Sequence, residues 1–311
     1  MKKVLITDAA HPLLVDGLTE MGFSVDYEPD ITVQKVADLI SQYQGLIINS
    51  RVPADKALLE RAAQLKFVCR LGSGLEVIDL DCASELGIAA FNSPEGNKVA
   101  VAEHALGLLL CLLNHIPKAN AEVKQGKWTR EANRGEELTG KTVGLIAYGN
   151  NARAFAKVLQ GFDVNILAYD KYLHDFGGGQ VTPSSLERIF AEADILSLHL
   201  PLTSETKYMI DYEFLTSFKK KIWLVNTARG MVLKTADLLR CLEEGRIVGA
   251  ALDVLENEKL TTLTDEQKEI FHRLAADDRV VLTPHVAGWT HQSKKKIAEV
   301  LLQKIKDLRW D

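Results

Sequence analysis

Short runs of apolar and β-branched residues alternate with amphipathic helical patterns along the first third of the chain. Such alternation is typical of a parallel sheet that is covered by helices on both faces. The apolar runs predict strands at Val4–Thr7, Ser24–Tyr27, Leu46–Asn49, Phe67–Arg70 and Ile88–Phe91. The patterns between them predict helices at Pro12–Met21, Val33–Gln42, Ala54–Ala63 and Asp81–Leu86.

The alternation then stops and starts again. Turn-forming residues at 92–97 break the pattern, a helix is predicted from Lys98 to about Asn114, and a charged polar segment continues to Gly140. The second series predicts strands at Thr142–Ala147, Val164–Asp170, Ile195–His199, Ile222–Asn226, Val248–Leu252 and Val280–Thr283. Its predicted helices are Ser184–Ala191, Asp211–Ser217, Thr235–Glu244, Glu266–Ala275 and, after the last strand, Thr290–Leu308.

This pattern predicts an α/β fold of two doubly wound parallel-sheet lobes with a cleft between them. Because no strand follows the final helix, we expect that helix to pack back on the first lobe. The first domain would then comprise residues 1–97 plus 286–311, and the second would comprise 98–285. Ligands of such sheets bind at the carboxyl ends of the strands, so residues directly after the strands are the candidates for function.

The segment from Thr142 to Asp170 has the layout of a dinucleotide-binding βαβ unit, with an acid 21 residues after Gly149. The three glycine positions of that motif are occupied by Ala147, Gly149 and Ala152. Ala147 would cost about 1 kcal/mol if its φ has to be positive, and little otherwise. A plain strand–turn–helix explains this stretch about as well, so the motif alone leaves both interpretations open.

Composition narrows the class of protein. The 311 residues are 47% hydrophobic and 25% charged, and the net charge of −5 gives no field that would attract nucleic acid or an anionic membrane. The four cysteines have no metal-ligand spacing, which favours small buried side chains in a reducing compartment and no metal. The first apolar run is too short for a signal peptide, and Val99–Leu113 is shorter than the roughly 20 residues of a membrane span. We therefore expect a cytoplasmic protein without nucleic-acid or membrane partners.

Three polar side chains that follow predicted strands suit one reaction, the oxidation of an alcohol beside a carboxylate. His285 would take the hydroxyl proton, because imidazole titrates near neutral pH. Glu258 would orient that ring and favour its protonated form, and Arg229 would hold the substrate carboxylate. Singly, each residue is more often a structural hydrogen-bonding group or a surface charge; together they favour a dehydrogenase.

On these residues the chain resembles the D-isomer-specific 2-hydroxyacid dehydrogenase family, and most closely its D-3-phosphoglycerate dehydrogenases without their C-terminal regulatory domain. The matching segments cover nearly the whole length. They are residues 70–74, 95–97, 101–104, Asp170, 199–203, 226–230, 252–254, Glu258 and 283–288.

The resemblance implies a flavodoxin-like substrate domain, a Rossmann cofactor domain and NAD as the cofactor. It implies that Arg229, Glu258 and His285 are catalytic, and that Asp170 binds the adenosine ribose. The other implied cofactor-binding residues are Gly149, Asn150, Asn151, Leu200, Thr227, Ala228, Asp253 and Gly288. The implied substrate contacts are the Ser73 and Gly74 amides and the cations Arg51 and Arg70. The family also implies a homodimer formed through residues 98–140, acting on a small 2-hydroxy or 2-keto acid.

Several positions depart from the family pattern. Ala147 replaces the first glycine, Glu76–Asp79 differ from the usual substrate loop, and Lys259 replaces a common proline. Asn49 stands where phosphoglycerate dehydrogenases tend to have arginine, which weakens the case for a phosphorylated substrate. The substrate is expected to be 3-phosphoglycerate or a related small acid.

Two alternatives to this enzyme remain open, an NAD(H)-sensing dimeric scaffold similar to the corepressors that resemble the family, and a degenerate relative that has lost cofactor binding. The related formate dehydrogenases should lack a carboxylate partner for the histidine, so Glu258 argues against that activity.

Overall fold

The structure, a computed structural model, describes residues 2–174 and 176–308. The chain forms two compact units, Met1–Lys98 with Trp289–Asp311, and Val99–Gly288. These boundaries lie after Lys98 and Gly288, where the sequence suggested positions after Asn97 and His285. Residues 309–311, which were assigned to the first domain, lie outside the described residues.

The first unit contains a five-stranded parallel sheet. Its strands are β1 (Lys3–Ile6), β2 (Ser24–Tyr27), β3 (Gly45–Ile48), β4 (Phe67–Arg70) and β5 (Ala89–Phe91). Its helices are α1 (Pro12–Glu20), α2 (Val33–Leu39), α3 (Lys56–Leu59), α4 (Leu80–Glu85) and α12 (His291–Lys306). The strand order β2-β1-β3-β4-β5 is the flavodoxin-like order, as predicted.

The final helix completes the core of this unit. Ala298, Leu301 and Ile305 of α12 are buried in one cluster with Leu14 and Leu18 of α1. Thr290 begins α12 through a capping box, in which its hydroxyl accepts from the Ser293 amide and the Ser293 hydroxyl accepts from the Thr290 amide. The C-terminal helix is therefore part of the first unit.

The second unit contains a seven-stranded parallel sheet. Its strands are β6 (Thr142–Ile146), β7 (Asn165–Tyr169), β8 (Val181–Pro183), β9 (Ile195–Leu198), β10 (Ile222–Asn226), β11 (Ile247–Leu252) and β12 (Val280–Leu282). Its helices are α5 (Pro94–Leu113, shared with the first unit), α6 (Ile116–Lys124), α7 (Asn150–Leu159), α8 (Leu186–Glu192), α9 (Tyr212–Thr216), α10 (Thr235–Glu243) and α11 (Asp265–Ala276). The order β12-β11-β10-β9-β6-β7-β8 is the Rossmann order with one additional edge strand, so the predicted fold class is confirmed.

The structure corrects four local predictions. Residues 94–97 begin α5 instead of forming a turn, because Pro94 is compatible with the first helical position. Residues 116–124, assigned to a polar segment, form α6, which has no buried residue and therefore gives no core-facing signal in the sequence. The third helix shrinks to Lys56–Leu59. The edge strand β8 was missed, since its three residues are too short for an alternating pattern.

Helix α5 is the one described helix that is long and apolar enough to cross a membrane by length and composition. Half of that stretch is buried within the fold. Ala105, Leu109 and Leu112 belong to one of the core clusters of the second unit, with Phe155 of α7 and Val225 of β10. This packing is that of a core helix. The four cysteines are free, and Cys69, Cys82 and Cys241 are buried.

Candidate active site and cofactor-binding turn

The turn after β6 has a strained backbone conformation at Ala147 and unfilled space around Gly149. Ala147 has φ +68°, in the left-handed region that favours glycine, and its amide donates to the Tyr169 carbonyl (2.8 Å). Gly149 has an extended φ of −84° and begins α7 without a side-chain cap. A Cβ added at Gly149 would meet no protein atom within 4 Å. The turn therefore keeps the glycine geometry at Ala147 and leaves space in front of the α7 amides.

Asp170 lies beside this turn and is organised by backbone amides. Its carboxylate accepts from the Tyr148 amide (2.8 Å) on one oxygen and from the Tyr172 and Leu173 amides (both 2.9 Å) on the other. Partial burial raises the pKa of Asp170, but the three amide donors outweigh it and hold that pKa below its usual value. A carboxylate accepts about four hydrogen bonds, so one acceptor position remains for a ligand hydroxyl.

Among the described residues, two buried polar atoms near these strand ends have no hydrogen-bond partner. They are Oδ1 of Asn151, in the first turn of α7, and Oγ1 of Thr227, directly after β10. Buried polar atoms are normally hydrogen-bonded, so an orphaned pair indicates a missing ligand or water. Both residues were predicted to contact the dinucleotide. Together with the open α7 amides, they make the site compatible with NAD.

His199 follows β9 on the neighbouring strand and is neutral. Its Nε2 lies 3.0 Å from the Ser197 hydroxyl, and its ring lies 5.6 Å from the ring of Phe155. Burial lowers its pKa to about 3. Leu200, the next residue, is partly buried against the second core cluster of this unit.

The ends of β10, β11 and β12 are in register, which brings their following residues to one edge of the sheet. Asn226 pairs with Leu252, and Leu252 pairs with Leu282. The fully buried Asn226 amide group fixes the loop after β10: its Oδ1 accepts from the Ala228 amide (3.0 Å) and its Nδ2 donates to the Arg229 carbonyl (3.1 Å). The Arg229 backbone is thereby held at the edge of the sheet.

The loop that carries Arg229 also lies against the loop after β11. A Cβ on Gly230 would come within 1.9 Å of the Leu255 carbonyl oxygen, so a side chain there would force the two loops apart. Arg229 Nη1 donates to the Ala228 carbonyl (2.7 Å). This close approach ties the Arg229 loop to the segment that leads to Glu258.

His285 and Glu258 form a hydrogen-bonded pair, as the sequence predicted. Nδ1 of His285 lies 2.8 Å from Oε2 of Glu258, and each side chain is 44% exposed. His285 has φ +55°, which is unusual for a non-glycine residue. Its amide donates to the Asp253 carbonyl (2.7 Å), so backbone bonding helps to hold the strained conformation. Strain of this kind is concentrated at functional sites.

Asp253 supports the loop that carries His285. Its carboxylate is 1% exposed and accepts from the Thr283 hydroxyl (2.6 Å) and from the Val286 and Ala287 amides (both 2.9 Å). His104 Nε2 reaches the same Thr283 hydroxyl at 3.1 Å. Burial raises the pKa of Asp253, and these donors more than offset it, so the pKa lies below its usual value. Asp253 is thus a buried anchor, and its predicted contact with the cofactor stays a prediction.

The sequence reasoning missed the structural roles of three residues, Asn226, Asp253 and His104. Their effect depends on which backbone groups and which α5 side chain lie next to the strand ends, and spacing along the chain does not reveal that. The signal that was available is their position: Asn226 and Asp253 directly end or follow buried strands.

The two arginines predicted to bind the substrate, Arg51 and Arg70, both donate hydrogen bonds to backbone carbonyls of the first unit. Arg51 donates to the carbonyls of Ile31, Thr7 and Pro29 and lies 3.7 Å from an Asp8 oxygen. Its guanidinium is thus committed to the fold, which leaves the predicted substrate contact of Arg51 without structural support. Arg70 Nη1 donates to the Gly74 carbonyl (3.1 Å) and so shapes the loop after β4.

The loop after β4 holds Ser73 in place through its side chain and carbonyl. The Ser73 hydroxyl donates to Asn97 Oδ1 (2.6 Å), and Asn92 Nδ2 donates to the Ser73 carbonyl (2.5 Å). Within residues 2–174 and 176–308, the backbone amides of Ser73 and Gly74 donate no hydrogen bond. The loop therefore presents two unused N–H groups.

Comparison with known proteins agrees with this geometry. The sequence model described as “D-isomer specific 2-hydroxyacid dehydrogenase, NAD binding domain” matches residues 106–287. The D-3-phosphoglycerate dehydrogenase of Synechocystis sp. is 32% identical over 99% of this chain and 54% of its own length. The hydroxypyruvate reductase of Thermotoga maritima is 35% identical over 86% of this chain and 85% of its own length.

Solved structures match nearly the whole length of the chain. A D-lactate dehydrogenase from Aquifex aeolicus, complexed with NAD and lactic acid, matches with a TM-score of 0.83 and 25% identity, and the match covers 98% of this chain and 94% of that chain. The chain spans only 54% to 57% of the length of the first phosphoglycerate dehydrogenases that it matches.

The chain belongs to the D-isomer-specific 2-hydroxyacid dehydrogenase family. Residues 106–287 match that family's NAD-binding domain. The resemblance inferred from the sequence is thereby confirmed.

Proposed function

We propose that this protein is an NAD-dependent dehydrogenase that interconverts a D-2-hydroxy acid and the corresponding 2-keto acid. The observation that carries the proposal is the His285–Glu258 pair, with its 2.8 Å separation and its strained histidine, at the same sheet edge as Arg229. An imidazole that is oriented by a carboxylate can accept or donate the proton of a substrate hydroxyl. A guanidinium at the same sheet edge can bind the carboxylate next to that hydroxyl.

Glu258 determines which nitrogen of His285 is basic. A carboxylate only accepts hydrogen bonds, so Nδ1, which faces Glu258, carries the proton in the neutral ring. Nε2 is then the nitrogen that takes the proton from a substrate hydroxyl, or returns it to a keto oxygen in the reverse direction. The Glu258 carboxylate also holds the ring in one orientation through this contact.

Arg229 binds the substrate carboxylate and polarises the neighbouring oxygen, because its planar guanidinium offers donors in a fixed fork. Bound NAD supplies the acceptor for the two electrons and the hydrogen that leave the substrate carbon. The protein's own contribution is to orient the substrate and to hold the exchangeable proton at His285 Nε2.

We assign the cofactor contacts to the residues predicted from the sequence. The amides of Asn150 and Asn151 at the start of α7 would bind the pyrophosphate, and Gly149 leaves room for it. Asp170 would accept from the adenosine ribose through its remaining lone pair. The residues that line the dinucleotide would be Leu200, Thr227, Ala228, Asp253 and Gly288. The orphaned Thr227 hydroxyl supports this assignment.

The proposed substrate is 3-phosphoglycerate or a related small acid, bound through Arg70 and the unused Ser73 and Gly74 amides. An unphosphorylated acid such as hydroxypyruvate is a second candidate, because Arg51 is committed to the fold and Asn49 replaces a cation. A panel of 2-keto acids, followed by NADH absorbance, tests both. A kcat/KM for phosphohydroxypyruvate at least tenfold above that for hydroxypyruvate would select the first candidate, and the reverse ratio the second. Turnover of no keto acid would contradict the proposed activity.

The alternatives, an NAD(H)-sensing scaffold and a degenerate relative, make different predictions for the same assay. A scaffold binds NADH without turning over any acid, and a degenerate relative binds no NADH. A scaffold would have no use for the strained, carboxylate-paired His285, so the pair supports the enzyme.

We further propose a cytoplasmic homodimer formed through residues 98–140, without nucleic-acid or membrane partners. Apolar side chains are exposed there: Trp128 is 80% exposed, Val123 50% and Ile116 49%. Trp128 and Val123 also line a cavity of about 340 Å³. Sedimentation of the Trp128→Asp variant tests the proposal: it should shift the protein towards monomer, and an unchanged dimer would refute this interface.

A further inference from the structure

A charged latch joins the two loops that flank the cofactor-binding turn. Nζ of Lys171, the residue after Asp170, lies 2.8 Å from Oε2 of Glu205. The Tyr172 hydroxyl donates to the same Glu205 oxygen at 2.6 Å. We call Lys171, Tyr172 and Glu205 the latch. All three side chains are more than half exposed, so they border the solvent side of the turn.

The sheet order places the latch across the turn. β6 lies between β7 and β9, and the three chains leave the same edge of the parallel sheet. Lys171 and Tyr172 follow β7, Glu205 lies in the loop after β9, and the strained turn at Ala147 follows β6. The latch therefore connects the loops on both sides of the turn, next to the carboxylate assigned to the ribose.

Both sides of the latch are held by local hydrogen bonds. The Tyr172 amide donates to Asp170, which fixes the backbone from which Lys171 and Tyr172 extend. In the other loop, the Thr206 hydroxyl donates to the Pro201 carbonyl (2.6 Å) and accepts from the Thr203 amide (2.8 Å). Glu205 is thus presented beside Lys171 by a short loop that is constrained by its own hydrogen bonds.

The charges of the latch would affect the choice between NAD(H) and NADP(H), because only NADP(H) carries a 2′-phosphate. A 2′-phosphate on the ribose adds up to two negative charges, and a lysine next to the ribose is a common kind of phosphate partner. The hydrogen bond to Glu205 raises the pKa of Lys171, and the bonds from Lys171 and Tyr172 lower the pKa of Glu205, so both stay ionised at neutral pH. The cation is thereby neutralised by Glu205, which adds a second carboxylate near Asp170.

Arg153 is another cation near Asp170, and it is engaged elsewhere. Its guanidinium lies 4.8 Å from the centre of the Tyr148 ring, and its Nε donates to the Tyr148 carbonyl (3.2 Å). Lys171 is therefore the cation near Asp170 that removal of the Glu205 carboxylate would release for a 2′-phosphate.

We propose that Glu205 is a cofactor-specificity residue: by pairing with Lys171 and Tyr172, it withholds the lysine from a 2′-phosphate and places a repelling charge beside the ribose. The protein thus discriminates against NADP(H) through two acids, Asp170 and Glu205, from two different loops. The inference rests on the proposed binding of NAD at this turn.

The test is a calorimetric titration of the full chain with NADH and with NADPH, at low salt. Glu205→Gln keeps the size of the side chain and releases Lys171, and we expect NADPH to bind about fivefold more tightly while NADH changes by less than about twofold. Adding Lys171→Met to Glu205→Gln should abolish the gain. The matched control is Glu244→Gln, since Glu244 likewise bridges a tyrosine hydroxyl (Tyr212, 2.9 Å) and a cation (Arg240, 2.9 Å) elsewhere in the same unit.

An unchanged NADPH-to-NADH affinity ratio in Glu205→Gln would overturn the proposal, and so would a gain that survives the loss of Lys171. Equal weakening of both cofactors would show that Glu205 serves the loop structure only. If the unaltered protein bound neither cofactor, the proposed function would fail instead, so the two failures are distinguishable.

Discussion

Replacing Ala147 by glycine should stabilise the protein, although glycine substitutions usually destabilise. Ala147 has φ +68°, a conformation in which the Cβ of an L-residue crowds the following carbonyl oxygen. The turn cannot relax easily, because the Ala147 amide donates to the Tyr169 carbonyl and the Tyr148 amide donates to Asp170. Glycine would keep both hydrogen bonds and remove the crowding.

The expected gain is the difference of two terms. The left-handed conformation costs an L-residue about 1–2 kcal/mol, which glycine avoids. Glycine also lowers the free energy of unfolding by about 0.4–1 kcal/mol, because it increases the conformational entropy of the unfolded chain. Ala147→Gly should therefore raise the free energy of unfolding by about 0.5–1 kcal/mol, or the melting temperature of the second unit by about 2 °C.

Urea unfolding of Ala147→Gly and of the control Ala154→Gly measures this directly. Ala154 lies within α7, so its replacement should lower the free energy of unfolding by about 0.5–1 kcal/mol. The two variants make the same chemical change next to the same turn with opposite expected signs. If Ala147→Gly lost stability as Ala154→Gly does, the strain attributed to this turn would not exist.

Three other outcomes follow from the site. His285→Asn, chosen because asparagine tolerates positive φ, should lower kcat about 10²- to 10⁴-fold and leave the NADH Kd unchanged in calorimetry; near-normal turnover would refute the acid–base role. Asp170→Ala should weaken NADH more than NADPH in the same titration, since it removes an acceptor and a repelling charge; an unchanged preference would mean that Asp170 only caps its loop. The pKa of His199 is about 3 in the folded state and 6.5 in the unfolded chain, so below pH 6.5 the unfolded state alone binds the proton and stability falls. At pH 5 the loss should be about 2 kcal/mol relative to pH 7. Urea unfolding of His199→Gln should show a correspondingly smaller pH dependence, and an equal dependence in both proteins would contradict the assignment.

The sequence predicted those parts of the fold that have a periodic signal. The alternation of apolar strands and amphipathic helices sufficed for both parallel sheets, because the central strands, such as β3 and β10, are short apolar runs that are fully buried. It failed where the signal is short or absent, at the three-residue edge strand β8 and at α6, which buries no residue. The start of α5 was missed because proline and glycine at 94–96 look like a turn, although Gly96 is required for the close approach of Ile297 in α12.

Prediction of the site from the sequence succeeded for the contact between His285 and Glu258, and the catalytic roles of both residues stay predictions. It was weaker where a residue's role depends on backbone geometry. The positive φ of Ala147 and the anchoring of Asp253 by the 286–287 amides arise from chain paths that no local pattern encodes. Arg51 shows the same limit, because an arginine predicted for substrate is bound by backbone carbonyls of neighbouring loops.

The configuration of the product tests the central claim most directly. The protein should be incubated with NADH and the 2-keto acid that it reduces fastest, and the hydroxy acid formed should be resolved by chiral chromatography. We expect consumption of NADH matched by formation of the D-isomer alone, and loss of both in His285→Asn. Formation of the L-isomer, or no hydroxy acid from any 2-keto acid tested, would contradict it.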